Sequence, residues 1–200
     1  IIESGKEHSV VNDDVSIVLL INSESIEAER IRMFLDNKEC ISIDDVDSNI
    51  KESIIQAWHE DLSLKDVNNI YFNLLDLILG EKTVKSPLLD VRVSEAINII
   101  NNLEISAITP SEIAKKVFLS ESRFQHLFKQ NVGVSLSKYL LWQKTLHGIE
   151  GIISGMTITE AALAAGFSDG AHFSRTVKAT FGLTMSNVFK NSRYVQVISS

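Results

Sequence analysis

Apolar residues recur at spacings of three and four along most of this chain, the period of an amphipathic helix. The exception lies near the start. Residues 8–20 form two β-rich stretches around Asn12-Asp13-Asp14, a turn signal, and predict a hairpin. A hairpin buries no face alone, so its partner strands are expected upstream of residue 1. From Ser23 the helical period takes over. Ser23 is the expected cap of a helix carrying Ile26, Ile31, Phe34 and Leu35, with Glu24 and Glu27 near its positive end. Residues 40–46 read as a connector or brief strand, and Asp47 or Ser48 starts a second helix with Ile50, Ile54, Ile55 and Trp58. Ser63 and Asp66 open a third, over 66–79. Its Val67, Ile70, Tyr71, Leu74, Leu75, Ile78 and Leu79 share one side, and Gly80 is the stop. That row is either a domain core or a surface for a second copy. Residues 81–89, with Pro87, read as a linker.

The second half continues in helices. Asp90 is the expected cap of a helix over 91–103, with Val93, Ile97 and Ile100 inward. Thr109-Pro110-Ser111-Glu112 is a strong start: a capping threonine, proline at the first helical position and a glutamate that closes the box. The short helix it opens buries Ile113, Ala114 and Val117. Ser120 is placed to cap the next, which turns Phe124, Leu127 and Phe128 inward and keeps Ser122, Gln125, His126 and Lys129 elsewhere. Two short helices in succession, the second with a polar face, predict a helix-turn-helix.

That unit occurs twice. Thr109, Glu112 and Ala114 recur 48 residues later as Thr157, Glu160 and Ala162, and Leu119-Ser120 as Phe167-Ser168. The offset then becomes 49: Phe124 matches Phe173, Lys129 matches Lys178, Gly133 matches Gly182 and Ser135 matches Thr184. One extra residue at the start of the second unit's second helix accounts for the change. The two units, 109–133 and 157–182, are joined by a helix over 136–153 anchored by Leu140, Leu146 and Ile149. Eighteen residues span about 27 Å, close to the ~34 Å between major-groove windows on one face of B-DNA.

Charge sharpens this picture. The net of −7 argues against a nucleic-acid partner until it is divided. Residues 1–109 carry 9 Lys+Arg against 21 Asp+Glu, whereas residues 110–200 carry 10 against 5. Only the basic half is suited to phosphate. Cys40 is the single cysteine, which excludes an intrachain disulfide and a cysteine-based metal cluster and suits a reducing cytoplasm. No apolar run is long enough for a membrane span.

The second unit carries Ala164-Ala165-Gly166-Phe167-Ser168-Asp169, then His172-Phe173-Ser174-Arg175, Lys178 and Phe181-Gly182. This resembles the signature of the AraC/XylS family. The first unit matches it more loosely through Ile113-Ala114, Leu119-Ser120, Leu127-Phe128-Lys129 and Gly133. Gly5, His8 and Asn12 are similar to half of a cupin-barrel motif, the sensor fold of that family. The resemblance implies a mainly α fold: a tandem helix-turn-helix domain over 90–192 with an inter-head helix. A helical segment over 23–80 and the last strands of a truncated cupin-like barrel over 1–22 would precede it. It also implies a sequence-specific transcription regulator, usually an activator. Such a protein would insert recognition helices over about 120–130 and 168–179 into successive major grooves. RNA polymerase is an implied partner, as are a second copy through helix 66–79 and a small-molecule effector in the sensor. Departures include Phe118 in the place of Gly166, Val177 for a phenylalanine, Lys144 for an arginine and Met185 for a proline.

The residues expected to face double-stranded DNA are Ser122, Arg123, Gln125, His126 and Lys129 in the first head. In the second they are Gly170, Ala171, His172, Ser174, Arg175 and Lys178. Glutamine pairs bidentately with adenine and arginine with guanine, while lysine suits phosphate. Small Gly170 and Ala171 suit backbone contacts or thymine methyls. Asp169 is expected to organise its helix start rather than touch DNA. Phe124, Phe128, Phe173 and Phe181 are expected in the core, and Trp142 either packs the inter-head helix or stays partly exposed.

Two other function classes compete. An enzyme would need a nucleophile–base pair or a phosphate loop. Neither is found, because Gly148, Gly151 and Gly155 follow no strand. His8, His59 and His147 have no ligand-spaced partners, so no metal or cofactor is expected. A non-DNA helical interaction module or a DNA-repair adaptor would reuse the same double helix-turn-helix; in repair proteins it stands beside a cysteine-rich reactive domain, and Cys40 sits among acids that disfavour a thiolate.

Overall fold

The computed structural model describes residues 1, 19, 21–42, 48, 52, 55, 64–80, 89–102, 109–182 and 184–189. The hairpin and cupin-like motif expected within residues 5–20, and most of the linker, lie outside them. The chain divides into an N-terminal and a C-terminal unit between Leu88 and Leu89. Among the described residues both units are helical.

In the N-terminal unit, α1 spans Ile26–Leu35 and α2 spans Leu64–Leu79. Helix α1 begins later than Ser23 suggested. The Ser25 amide donates to the Asn22 carbonyl at 3.0 Å, closing a turn first, and Ser25 Oγ then caps the helix by accepting from the Ala28 amide at 3.1 Å. Helix α2 ends at Gly80 as its sequence indicates: φ is +69° there, and the Gly80 amide donates to the Asp76 carbonyl at 2.8 Å. Arg30 of α1 closes over this end, donating to Asp76 Oδ1 at 2.8 Å and to the Gly80 carbonyl at 2.7 Å. A cation there complements the negative end of α2. Leu74, Leu75 and Leu79 are buried with Ala28 and Leu35, so much of the apolar row of α2 is core. Ile1 and Ile41 exchange two backbone hydrogen bonds, consistent with a brief strand near Cys40.

The C-terminal unit contains α3 (Val91–Asn102), α4 (Pro110–Lys116), α5 (Glu121–Val132), α6 (Leu136–Ile153), α7 (Ile158–Ala164), α8 (Gly170–Phe181) and α9 (Met185–Phe189). The repeat is reproduced in geometry. Thr109 and Glu112 form a capping box with bonds of 2.8, 2.7 and 3.3 Å, and Thr157 and Glu160 form its twin with the same three lengths. The turn that follows is tied identically: the Leu119 amide reaches the Ala114 carbonyl and the Phe167 amide reaches the Ala162 carbonyl, each at 2.9 Å. Both second helices have 12 residues and stop on a left-handed glycine, Gly133 or Gly182. The extra residue implied by the offset change lies in the second turn. Four residues separate α4 from α5, and five separate α7 from α8.

The heads differ at the turn itself. Gly166 has φ +78°, and the matching residue Phe118 has φ +58° with 92% of its surface exposed. A β-carbon in that region crowds the following carbonyl oxygen, at a cost of roughly 1–2 kcal/mol. Phe118 recovers none of it by burial.

Two hydrophobic cores fill the unit. The first gathers Val93 and Ile100 of α3, Ile113 of α4, Phe124 and Phe128 of α5, and Leu136, Tyr139 and Leu140 of α6. The second gathers Ala161 and Ala162 of α7, Phe173, Val177 and Phe181 of α8, Met185 of α9, and Ile149 of α6. Helix α6 thus belongs to both. Its first two turns complete one head. Its last two turns, with Ile149, close on the other, and Trp142 at the end of the second turn already packs edge-on against Phe181 with centroids 5.7 Å apart. The approach is close enough that glycine is required: a β-carbon on Gly148 would lie 2.6 Å from Phe173 Cζ. Gly148 and Gly151 are therefore helix-packing residues.

Three expectations follow. Gly148→Ala lowers the melting temperature, because overpacking against a fully buried ring costs about 1–3 kcal/mol and exceeds the roughly 1 kcal/mol gained in helix propensity. Gly151→Ala, which meets the flexible Met156 thioether at 3.1 Å and the Ala161 β-carbon at 3.3 Å, perturbs less. Equal melting of the two variants would contradict this packing account.

Phe118→Gly raises stability by up to about 1 kcal/mol, the relieved strain less the added unfolded-state entropy of glycine. Urea unfolding that shows a loss would mean that the side chain has a stabilising role in the folded state.

The caps predict an acid response. Glu112 is held below the usual carboxylate range by the Thr109 amide and then its hydroxyl, and Glu160 by the Thr157 hydroxyl and then its amide. Asp169 is held low by the His172 amide and then the Ser168 hydroxyl. Asp90 is held at about 2 by the Arg92 guanidinium and then its amide. Depressed values stabilise the fold above the ordinary carboxylate pKa, and that contribution disappears as pH falls through the folded-state values. Amide protection in the first turns of α4, α7 and α8 should hold to about pH 4 and fall below it, with Asp90 the last of the four to protonate. Carboxyl titration by NMR at ordinary values would show that the caps do not act this way.

Candidate nucleic-acid interface

Helix α5 buries Phe124, Phe128 and Val132 and leaves Ser122, Arg123, Gln125, His126 and Lys129 exposed. Ser122, Gln125, His126 and Lys129 are spaced by three and four, so they form one row on the side away from the core. Arg123 lies on its flank. All five residues expected in this head are therefore solvent-facing, four of them on one face. The Gln125 amide nitrogen donates to Glu121 Oε1 at 3.0 Å, a contact to a residue that pattern reading did not select. Its signal in the sequence was only an acid four residues ahead of a glutamine. The backbone at Ser120 takes the cap conformation, but its side chain makes no capping bond.

Helix α8 buries Phe173, Thr176, Val177 and Phe181 and exposes Ala171, His172, Arg175 and Lys178. By the offset of 49, Ala171, Ser174, Arg175 and Lys178 stand where Ser122, Gln125, His126 and Lys129 stand in the first head. The rows coincide in position but not in chemistry. Ser174 is half-buried and its hydroxyl donates back to the Gly170 carbonyl at 2.8 Å. His172, the counterpart of Arg123, lies on the flank. Its Nδ1 is 3.2 Å from Ser168 Oγ, and its ring stands edge-on to Phe167. Asp169 accepts from the His172 amide at 2.7 Å and so caps the helix. Among the described residues no ion pair within 4.0 Å engages Arg175, although, after the His172 amide and the Ser168 hydroxyl, its charge helps to hold the Asp169 carboxyl low. The second row therefore offers Arg175 and Lys178 as long polar arms, with Ala171 as the small apolar member.

The row residues occupy the exposed side of a helix whose opposite side is anchored in a core, so each row is presented on a rigid support. Helix α6, 18 residues and about 27 Å long, joins the two supports and shares side chains with both cores. Among the described residues no group of acids, histidines and cysteines is placed to hold a metal ion, and no helix is long and apolar enough to cross a membrane.

A family model described as a helix-turn-helix domain matches residues 113–191. The chain is 27% identical over 105 residues to the lactose operon transcription activator of Staphylococcus xylosus, covering 52% of this chain and 38% of that protein. The chain thus spans well under half the length of this curated relative. A solved transcriptional regulator from Chromobacterium violaceum, described as containing an AraC-type DNA-binding domain, is 30% identical. That match covers 46% of this chain and 84% of the regulator, with a TM-score of 0.44. The C-terminal domain of AraT, a response regulator from Geobacillus stearothermophilus, is 22% identical, covering 56% of this chain and 94% of that one, with a TM-score of 0.48. The helix-turn-helix model falls on the half that carries both recognition rows. With its doubled helix-turn-helix, the chain belongs to the AraC/XylS family of regulators.

Proposed function

We propose that this chain binds duplex DNA in a sequence-specific manner and regulates transcription, in the sense of activation. The observation that carries the reading is the pair of matched exposed rows. They lie on two 12-residue helices, each ending in a lysine near its stop, and one shared helix holds both heads. Helices of that kind fit the major groove, and a joining helix of about 27 Å is on the scale of the ~34 Å between neighbouring grooves on one face. Ser122, Gln125 and His126 in the first head, and Ala171 and Arg175 in the second, meet base edges; Ser174 would do so by releasing the Gly170 carbonyl. Arg123, Lys129, His172 and Lys178 meet the backbone, and Gly170 permits its close approach.

Finer parts of the reading rest on the family. RNA polymerase is the proposed protein partner, with Phe118 and Leu163 as exposed apolar side chains outside both rows. A second copy would pair through helix 66–79, where Phe72 and Leu77 remain exposed after Leu74, Leu75 and Leu79 are used inside the chain. An effector would bind in a sensor domain. The protein would act in the cytoplasm.

Selection of binding sites from random duplex DNA tests the main claim, followed by titration at two salt concentrations. Gln125→Ala and Arg175→Ala should each relax preference at one base pair, by roughly 1–3 kcal/mol. Lys129→Ala and Lys178→Ala should weaken all sequences alike and reduce the salt slope by about one unit each. Identical affinity of the parent and all four variants at both salt concentrations would sink the reading.

A further inference from the structure

We propose that Glu121 determines base specificity in the first head, by fixing the Gln125 amide so that it accepts adenine and rejects guanine. This rests on the DNA-binding reading above and goes beyond it. The Gln125 amide nitrogen lies 3.0 Å from Glu121 Oε1 on the exposed side of α5. An ionised carboxylate only accepts hydrogen bonds, so the edge of the amide turned toward it is the NH2 group, and one of its two hydrogens is used there. One hydrogen and the amide oxygen remain.

That remainder discriminates between purines. Adenine presents an acceptor, N7, beside a donor, the N6 amino group, and matches one donor and one acceptor. Guanine presents two acceptors, N7 and O6. It would need both amide hydrogens, and one is committed to Glu121. An unrestrained glutamine can turn its amide to suit either purine; this one is held. The second head lacks the device. Gly170 and Ser174 occupy the matching positions, and the serine hydroxyl donates to the glycine carbonyl at 2.8 Å instead. A single operator position, read by the first head, should therefore carry the adenine-over-guanine preference.

The test uses the full chain and random-duplex selection, followed by titration of the selected site and of its adenine-to-guanine version. The parent should prefer adenine at one position. Glu121→Ala should lower the adenine-to-guanine affinity ratio there by roughly tenfold, leaving other positions and the salt slope unchanged. Glu121→Gln still offers an amide oxygen and should retain most of the ratio. Glu121→Lys reverses the logic: an ammonium only donates, so it takes the amide oxygen, leaves both hydrogens free and should move the preference toward guanine. Gln125→Ala should abolish the preference, and adding Glu121→Ala to it should change nothing more. Circular dichroism checks that α5 persists, and the lysine variant keeps the test decisive if alanine loosens the helix. An unchanged ratio in Glu121→Ala, no shift in Glu121→Lys, or a parent that prefers a base other than adenine at the position whose preference Gln125→Ala abolishes would overturn the role of Glu121. A parent that selects no sequence at all would instead overturn the DNA-binding reading.

Discussion

Helix α6 enters two hydrophobic cores at once, and the arrangement of both heads depends on how closely it can do so. Leu136, Tyr139 and Leu140 are buried among the side chains of the first head, and Ile149 among those of the second. A helix packed at one end only would leave the other head tethered, free to turn about the join. Packed at both ends, it places each recognition helix at a set position. The contact that makes this geometry is Gly148 against Phe173, where even a methyl group would lie inside van der Waals distance of the ring. The opposite face of α8, with Arg175 and Lys178, is held by the same buried ring. Packing and presentation are thus two sides of one helix.

Each head is assembled from the same short-range parts. A threonine–glutamate box starts the first helix, a tied turn reverses the chain, and a left-handed glycine ends the second helix. Within that frame the two heads differ in ways that matter chemically. The first places Phe118 in a backbone conformation that favours glycine, and leaves the ring in solvent. The second uses one more residue in its turn, which brings Asp169 to the cap and gives α8 a side-chain bond that Ser120 does not give α5. The acid near the start of α8 serves the backbone, consistent with its expected role away from phosphate.

The two rows also divide the work of recognition. The first carries hydrogen-bonding groups at each of its positions and an acid that orients one of them. The second carries a methyl group, a serine turned onto its own helix, and two long cations. Direct readout draws on convergent donors and acceptors, those of glutamine and arginine among them, whereas lysine and small residues serve positioning and close approach. On the proposed DNA-binding reading, the first row has more groups able to read base edges, and Arg175 is the long base-reading arm of the second.

The sequence by itself determined the helical class, the duplicated unit and most element ends in the C-terminal half. Those features come from interactions a few residues apart: Thr109 with Glu112, Thr157 with Glu160, and glycines at Gly80, Gly133 and Gly182. The inter-head helix, read over 136–153 from its apolar pattern, was legible to the residue. The start of α1 was less so, since Ser23 and Ser25 are both competent caps and only the turn from Asn22 separates them. The exposed positions of the two rows were legible from period. What each side chain does there was not: the orientation of Gln125 by Glu121, the turning back of Ser174 and the edge contact of His172 with Phe167 all depend on rotamers. Gly148 reads in sequence as a weak point in a helix. Only the tertiary structure shows that it has no room for a β-carbon, because the atom it must avoid belongs to Phe173, 25 residues away along the chain.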